Sequence, residues 1–242
     1  MDFKKLLRRN ETALIIAIVL LSVIIGAKSP EFYSLANLFD IFRSSFVQLL
    51  FALGVLVVII SGGIDVSFPV VGIFSGYSAV VLMKHFDWNP GNVLLPIPLA
   101  IVIGVILGAL NSIAIASFGI PTLIATLGTS GIFRGIMLTF IGSSFISDIP
   151  AALDKFATAD LLKIQPAEGT LARLHVLIIP VVIITILVSL MLNRTMFGRS
   201  VYALGGGVEA TRRLGISIKR TQAKVYMFVG GISGLAGILY VS

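Results

Sequence analysis

"WNPGNVLLPIPLAIVIGVILGALNSIAIASFGIPTLIATLGTSGIF", residues 88–133, runs for 46 residues without an Asp, Glu, Lys or Arg. As one helix it would be about 70 Å long, at a rise of 1.5 Å per residue. A bilayer's hydrocarbon core takes roughly 20 apolar residues as helix. The run must therefore turn back on itself, and Ser117-Phe118-Gly119-Ile120-Pro121 is where it can do so. Gly119 supplies the permissive backbone and Pro121 suits the first turn of a new helix.

The rest of the chain repeats this pattern. Charge-free runs cover 44–64, 66–83 and 225–242, of 21, 18 and 18 residues. Only 12% of the 242 residues are charged and mean hydropathy is +1.06, against about 25% charged in an average soluble domain. These features predict an all-α integral membrane protein, a polytopic helix bundle of about seven transmembrane helices. The expected spans are 12–28, 44–62, 67–84, 94–116, 121–141, 174–193 and 223–242. The apolar run after the basic segment Met1–Arg9 reads as a retained span, because Lys28 spoils the small-residue cleavage site that a signal peptide needs.

The net charge of +7 does not indicate nucleic acid, since the basic residues gather at the ends of apolar runs and no aromatic-interleaved basic face occurs. With the N-terminus in the cytoplasm, Lys4, Lys5, Arg8, Arg9, Arg194, Arg199, Arg212, Arg213, Lys219, Arg220 and Lys224 lie inside, 11 of the 18 basic residues. Membrane lipid is then the expected surroundings. The segment 194–222 becomes a cytoplasmic loop and 142–173 the largest outer loop, with Asp148, Asp154, Asp160 and Glu168 offset by Lys155, Lys163 and Arg173. There is no cysteine, so no disulfide framework or thiolate metal site exists. His85 and His175, isolated at span ends, read as interfacial, and no metal site is expected.

Small residues one turn apart at Gly72 and Gly76, Gly104 and Gly108, and Gly230 and Gly234 allow close helix packing. Gly230, Gly231, Gly234 and Gly237 do not form a dinucleotide fingerprint, because no strand precedes them. The dipeptide Gly-Lys is absent from the sequence, which excludes a phosphate loop of the Gly-Lys-Ser/Thr kind. Uphill transport would need ATP bound elsewhere.

Within the inner segment, Val208–Leu214 is compatible with a helix of about two turns, set between Gly205-Gly206-Gly207 and Gly215. Glu209 near its start and Arg212 and Arg213 near its end complement the helix dipole, and Gly215 suits a left-handed cap. Such a helix is too short to span a bilayer and would lie across its surface. Inside the spans, Asp65 follows the Gly62-Gly63 break and serves either as a turn residue or in a gate. Arg134 faces either a pathway or a buried ion pair. Gln48 and Asn111 bond either to neighbouring helices or to a hydroxylated solute.

Three ordered motifs carry a resemblance. "NLFDIFRSSFVQLLFALGVLVVIISGGIDVS" (37–67), "ALNSIAIASFGIPTLIATLGTSGIFRG" (109–135) and "FGRSVYALGGGVEATRRLGI" (197–216) resemble the membrane subunits of bacterial ATP-binding-cassette (ABC) importers of the ribose, xylose and arabinose type. That family also serves furanose-like signals. The resemblance implies a single inner-membrane permease domain over 1–242 that forms the translocation pathway and is not an enzyme. It also implies three partners: a cytoplasmic ATPase that binds ATP and Mg, a periplasmic or lipid-anchored sugar-binding protein, and a second permease subunit. This chain would hold no cofactor. Coupling to the ATPase would fall on Gly205, Gly206, Glu209, Ala210, Arg212 and Gly215, and pathway or gating roles on Gln48, Gly62, Gly63, Asp65, Ser67, Asn111 and Arg134.

Thr211 replaces the family's usual second alanine, and Phe68-Pro69 replaces a small, glycine-containing pair. Family members usually continue for further spans, so the chain is expected to be incomplete at its C-terminus. An ion-gradient-driven carrier is the alternative, although the spans offer it no acidic residue beyond Asp65. A truncated, non-transporting membrane scaffold is a third.

Overall fold

A computed structural model describes residues 10–88, 95–142, 149–165 and 170–241. The basic cluster Lys4, Lys5, Arg8 and Arg9, and the outer acids Asp148 and Glu168, lie outside the described residues. The helices are α1 (Asn10–Lys28), α2 (Leu35–Ile60), α3 (Phe68–His85), α4 (Pro96–Ser112), α5 (Thr122–Ile136), α6 (Ala151–Thr158), α7 (Ile178–Arg194), α8 (Met196–Gly206), α9 (Val208–Arg213) and α10 (Ile218–Val241). Two short strands, β1 (Asp160–Ile164) and β2 (Ala172–His175), pair antiparallel.

The 46-residue run does fold into two helices. Pro121 precedes α5 and Gly119 takes a left-handed φ of 69°. Each helix ends in a π-turn, α4 through Ile113–Ser117 and α5 through Met137–Ile141, which widens the last turn before the chain leaves it. Pro69 sits in the first turn of α3, where its missing N–H costs no helical bond.

Among the described residues, five helices are long and apolar enough to cross a bilayer: α2, α3, α4 with its π-turn, α5 with its π-turn, and α10. α7 and α8 make a sixth if taken as one span bent by 73°. Seven is reached only by adding α1, whose apolar part, Thr12–Lys28, is shorter. Some boundaries differ from expectation. α2 starts nine residues before the expected 44, drawing Asp40 and Arg43 into the helix, and α10 starts five before the expected 223. At Thr195 the backbone becomes extended; its Oγ1 donates to Met191 O at 2.6 Å and accepts from Gly198 N at 3.1 Å. That side chain closes α7 and caps α8.

The described residues divide into two compact units. One comprises the chain up to Arg43 with Asp160–His175; the other comprises Ser44–Ala159 and Val176–Ser242.

In the first unit, Tyr33 of the 3₁₀ turn Pro30–Tyr33 donates its hydroxyl to Ser22 O of α1 at 2.9 Å. Asn37 ties the start of α2 to that turn by donating to Phe32 O at 2.7 Å. The β1–β2 hairpin places Asp160 opposite His175 and Lys163 opposite Arg173. Both Asp160 and His175 side chains are buried, with Nε2 and Oδ1 3.8 Å apart. His175 is thus buried in the hairpin against Asp160. Burial holds its imidazole below the ordinary histidine range, with Arg43 and Arg173 acting in the same direction and Asp160 and Asp40 opposing them.

The second unit is organised around α10, whose residues from Val229 to Leu239 are all buried. Glycines set its distance from two neighbours. A β-carbon on Gly104 of α4 would collide with the carbonyl of Gly230, and one on Gly76 of α3 with the backbone of Gly237. The expected glycine pairs are therefore packing surfaces, with backbones touching where side chains would hold them apart. Leu50, Val57, Val58, Ala79, Val80 and Ala100 close the core around them.

Replacing Gly104 with Leu should lower stability by about 2 kcal/mol or more by forcing α4 from α10. Gly128→Ala, whose new methyl meets no atom within 4 Å, should leave it unchanged or slightly raised. Thermal unfolding of the two variants in detergent checks both. The hairpin should respond to pH. Above about pH 6.5 His175 is neutral whether the hairpin is open or closed; below it the open form takes the proton first, so the closed form loses stability. Hydrogen exchange over 160–175, corrected for intrinsic rate, should show more frequent opening at about pH 5.5 than at about pH 7.5. His175→Gln should abolish the difference, and pH-independent opening in the parent would contradict this account.

Candidate functional site

All the geometry here belongs to the second unit. The Ser61-Gly62-Gly63 break is a helix stop made by two backbone bonds, Gly63 N to Val58 O at 3.0 Å and Gly62 N to Ile59 O at 2.9 Å. This is the Schellman pattern, and it puts Gly62 in the left-handed region, at φ 80°. The freed segment 64–67 then lies along α5. Ile64 N donates to Thr122 Oγ1 at 3.0 Å and Val66 N to Thr126 Oγ1 at 3.3 Å. Two threonine hydroxyls one turn apart thus replace the helical partners that the segment lost.

Beyond the break sits a buried polar node. Asp65 Oδ1 accepts from Ser67 N and from Ser67 Oγ, both at 2.7 Å. Asn111 Nδ2, on α4, donates to Ser67 Oγ at 2.7 Å. Ser67 passes the chain of donors from amide to carboxylate, and all three residues are buried. Asn111 Oδ1 has no hydrogen-bond partner among the described residues. The node joins the start of α3 to α4, and therefore combines the structural roles foreseen for Asp65 and Asn111.

The other half of the site is the end of α8 with α9. Gly207, at φ 146°, separates them, and α9 closes on a second Schellman pattern: Gly215 N to Arg212 O at 3.0 Å and Ile216 N to Thr211 O at 3.3 Å, with Gly215 at φ 72°. The short helix stops where its sequence indicates. Thr211 is buried, and its hydroxyl bonds to Ala203 O of α8 at 2.6 Å and Gly207 O at 2.8 Å. The departure from alanine thus fastens α9 back onto α8. Glu209 and Arg212 stand 3.4 Å apart on the exposed face, a pairing worth little in solvent.

The two halves meet at Gly205, which lies in the last turn of α8. A β-carbon there would overlap the carbonyl of Ile60, and one on Gly62 would sit 3.4 Å from Gly205 Cα. Between them opens a cavity of about 260 Å³, lined in part by Gly62, Gly63, Thr122, Gly205, Val208 and Tyr226. Tyr226 Oη is buried and would lie 2.9 Å from a β-carbon on Gly63.

Of the residues singled out from sequence, Asp65, Ser67 and Asn111 form the node, and Gly62, Gly63 and Gly205 form the contact beside the cavity. Glu209, Ala210 and Arg212 lie on the exposed face of α9, and Gly206 has open space at its β-position. Gln48 and Arg134 are exposed on α2 and α5 and join neither group. Thr122, Thr126, Thr211 and Tyr226 were not singled out for a site. The spacing Thr122-xxx-Thr126, two hydroxyls on one helix face, was the available signal. Among the described residues, no group of three His, Asp or Glu side chains converges on a metal position.

The second unit thus combines membrane-capable helices, a helix break at Gly62, a buried polar node and a short capped helix. Residues 37–242 match the family described as the permease component of branched-chain amino acid transport systems, and the chain belongs to that family. It is 34% identical over 235 residues to the autoinducer 2 import system permease protein LsrC of Salmonella typhi, covering 97% of this chain and 63% of that protein. With the same protein of Enterobacter sp. it shares 31% over 239 residues, 99% of this chain and 66% of the relative. The corresponding Yersinia pseudotuberculosis protein is 32% identical over 234 residues, covering 97% of this chain and 62% of its own length. The chain thus spans a little under two thirds of these relatives. No solved structure matches it.

Ser67→Ala should cost about 2 kcal/mol by leaving Asn111 Nδ2 buried without an acceptor. Adding Asn111→Leu should recover part of that loss, since a pair of apolar replacements leaves no orphan donor. Unfolding midpoints of the single and double variants measure the coupling.

Proposed function

We propose that the chain is the membrane-spanning permease subunit of an ATP-driven importer in the bacterial inner membrane, passing a simple sugar or furanose-like signal. The observation that carries this reading is the family match, which includes both the Ser61–Ser67 segment and the α8–α9 stretch. The relatives' printed role in autoinducer 2 import supports an importer of a signal molecule over an ion-gradient carrier. Segment 194–222 faces the cytoplasm and 142–173 the periplasm, within one permease domain over 1–242.

The chain's own residues transmit work and supply a path. Gly205, Gly206, Glu209, Ala210, Arg212 and Gly215 form the surface that a separate ATPase engages, and that ATPase supplies ATP and Mg chemistry. A binding protein delivers the solute from outside, and a second permease subunit completes the pathway. Gln48, Gly62, Gly63, Asp65, Ser67, Asn111 and Arg134 are the polar and hinge positions assigned to gating and passage. Exposed charge on α9 supports this division, because an acid at a helix N-terminus and arginines at its end give a docking partner an oriented electrostatic face.

Glu209→Lys should leave membrane insertion intact and weaken ATPase association about tenfold through like-charge contact and loss of the Arg212 pair. Co-purification with the ATPase at graded salt measures it, and undiminished retention of the ATPase would exclude Glu209 from the docking surface. Uptake by vesicles that persists without the ATPase would point instead to an ion-gradient carrier.

A further inference from the structure

We propose that the backbone contact of Gly205 with Ile60 and Gly62 is the mechanical junction through which movement of α9 reaches the Asp65–Ser67–Asn111 node. The inference rests on the importer reading and adds to it the residues that carry the stroke.

Three features converge on the junction. The first is a rigid input. Thr211 fixes α9 to α8 through two hydrogen bonds, including 2.6 Å to Ala203 O. A force applied to the exposed face of α9 therefore moves the end of α8 with it, rather than bending the Gly207 link. The second is the contact itself. Gly205 lies so close to Ile60 and Gly62 that even one methyl would overlap the Ile60 carbonyl. Packed backbone transmits displacement, because close-packed surfaces do not compress.

The third is a compliant output. The segment 64–67 has left its helix and is held by side-chain acceptors, Thr122 and Thr126 of α5. It ends at Asp65 and Ser67, whose bonds reach Asn111 on α4. Displacing the Gly62 turn draws this segment along α5 and strains the node where α3 and α4 meet. The cavity beside Gly62, Gly205 and Tyr226 gives the turn room to move.

Gly205 and Gly62 are thus positioning residues, and the test must separate transmission from assembly. The full permease is assembled with its ATPase and binding protein in vesicles, and three quantities are read: ATPase retained, basal ATP hydrolysis, and sugar uptake. Gly205→Ala should cut uptake per molecule of ATPase retained at least about tenfold. Thr211→Val, outside the docking surface, should retain the ATPase and its basal hydrolysis while uptake falls as far, and Thr211→Ser should restore uptake to within about twofold of the parent. Gly128→Ala, which meets nothing, should behave as the parent.

Uptake by Gly205→Ala within about twofold of the parent overturns the junction. So does a loss of uptake matched by loss of the ATPase, which would make Gly205 part of the docking surface only. If Gly205→Ala does not reach the membrane, Thr211→Val decides by the same readouts. A parent chain that itself neither retains an ATPase nor imports would overturn the importer reading, and the junction with it.

Discussion

Backbone-to-backbone contact between α10 and its neighbours is the constraint on which the second unit depends. Lipid tails are as apolar as leucine, so burial of apolar side chains gives membrane helices little reason to associate. What remains is dispersion at close range, and Gly104 against Gly230 and Gly76 against Gly237 bring that range to its minimum. α3, α4 and α10 then form a rigid block whose spacing no side chain adjusts. The block fixes Asn111 relative to Ser67, and it fixes Tyr226 relative to the turn at Gly63.

Around that block the sequence places its irregularities with economy. Two Schellman stops, at Gly62 and at Gly215, end helices at points where the chain must change direction within a few residues. Between them, Gly205 allows the end of one helix to rest on the turn that ends another. Ile64 N and Val66 N, released by the first stop, find hydroxyls on α5, and Ser67 N finds the Asp65 carboxylate. Asn111 Oδ1, buried beside them, has no hydrogen-bond partner among the described residues.

Much of this was legible beforehand. Pro121 and Gly119 marked the turn inside the long apolar run, the paired glycines marked the contact faces, and Gly207 and Gly215 bounded a helix of six residues. Helix starts were read less well, because a charge was taken to end a span. Asp40 and Arg43 nevertheless continue α2, and Lys219 and Arg220 continue α10. The strands escaped notice for a different reason. Five and four residues, Asp160–Ile164 and Ala172–His175, are too short for alternation to emerge, and their pairing is set by contact across the hairpin. Thr122, Thr126 and Tyr226 were invisible as a group because hydroxyls within apolar runs carry no mark of which neighbour they will meet.

The Thr211 fastening separates two properties that a charged tie would have joined. A hydroxyl-to-carbonyl bond shielded from water is indifferent to ionic strength, whereas the exposed charges of Glu209 and Arg212 act only over a screening length of about 10 Å at 0.1 M salt. Salt therefore weakens the field of the outer face without loosening the hold of α9 on α8.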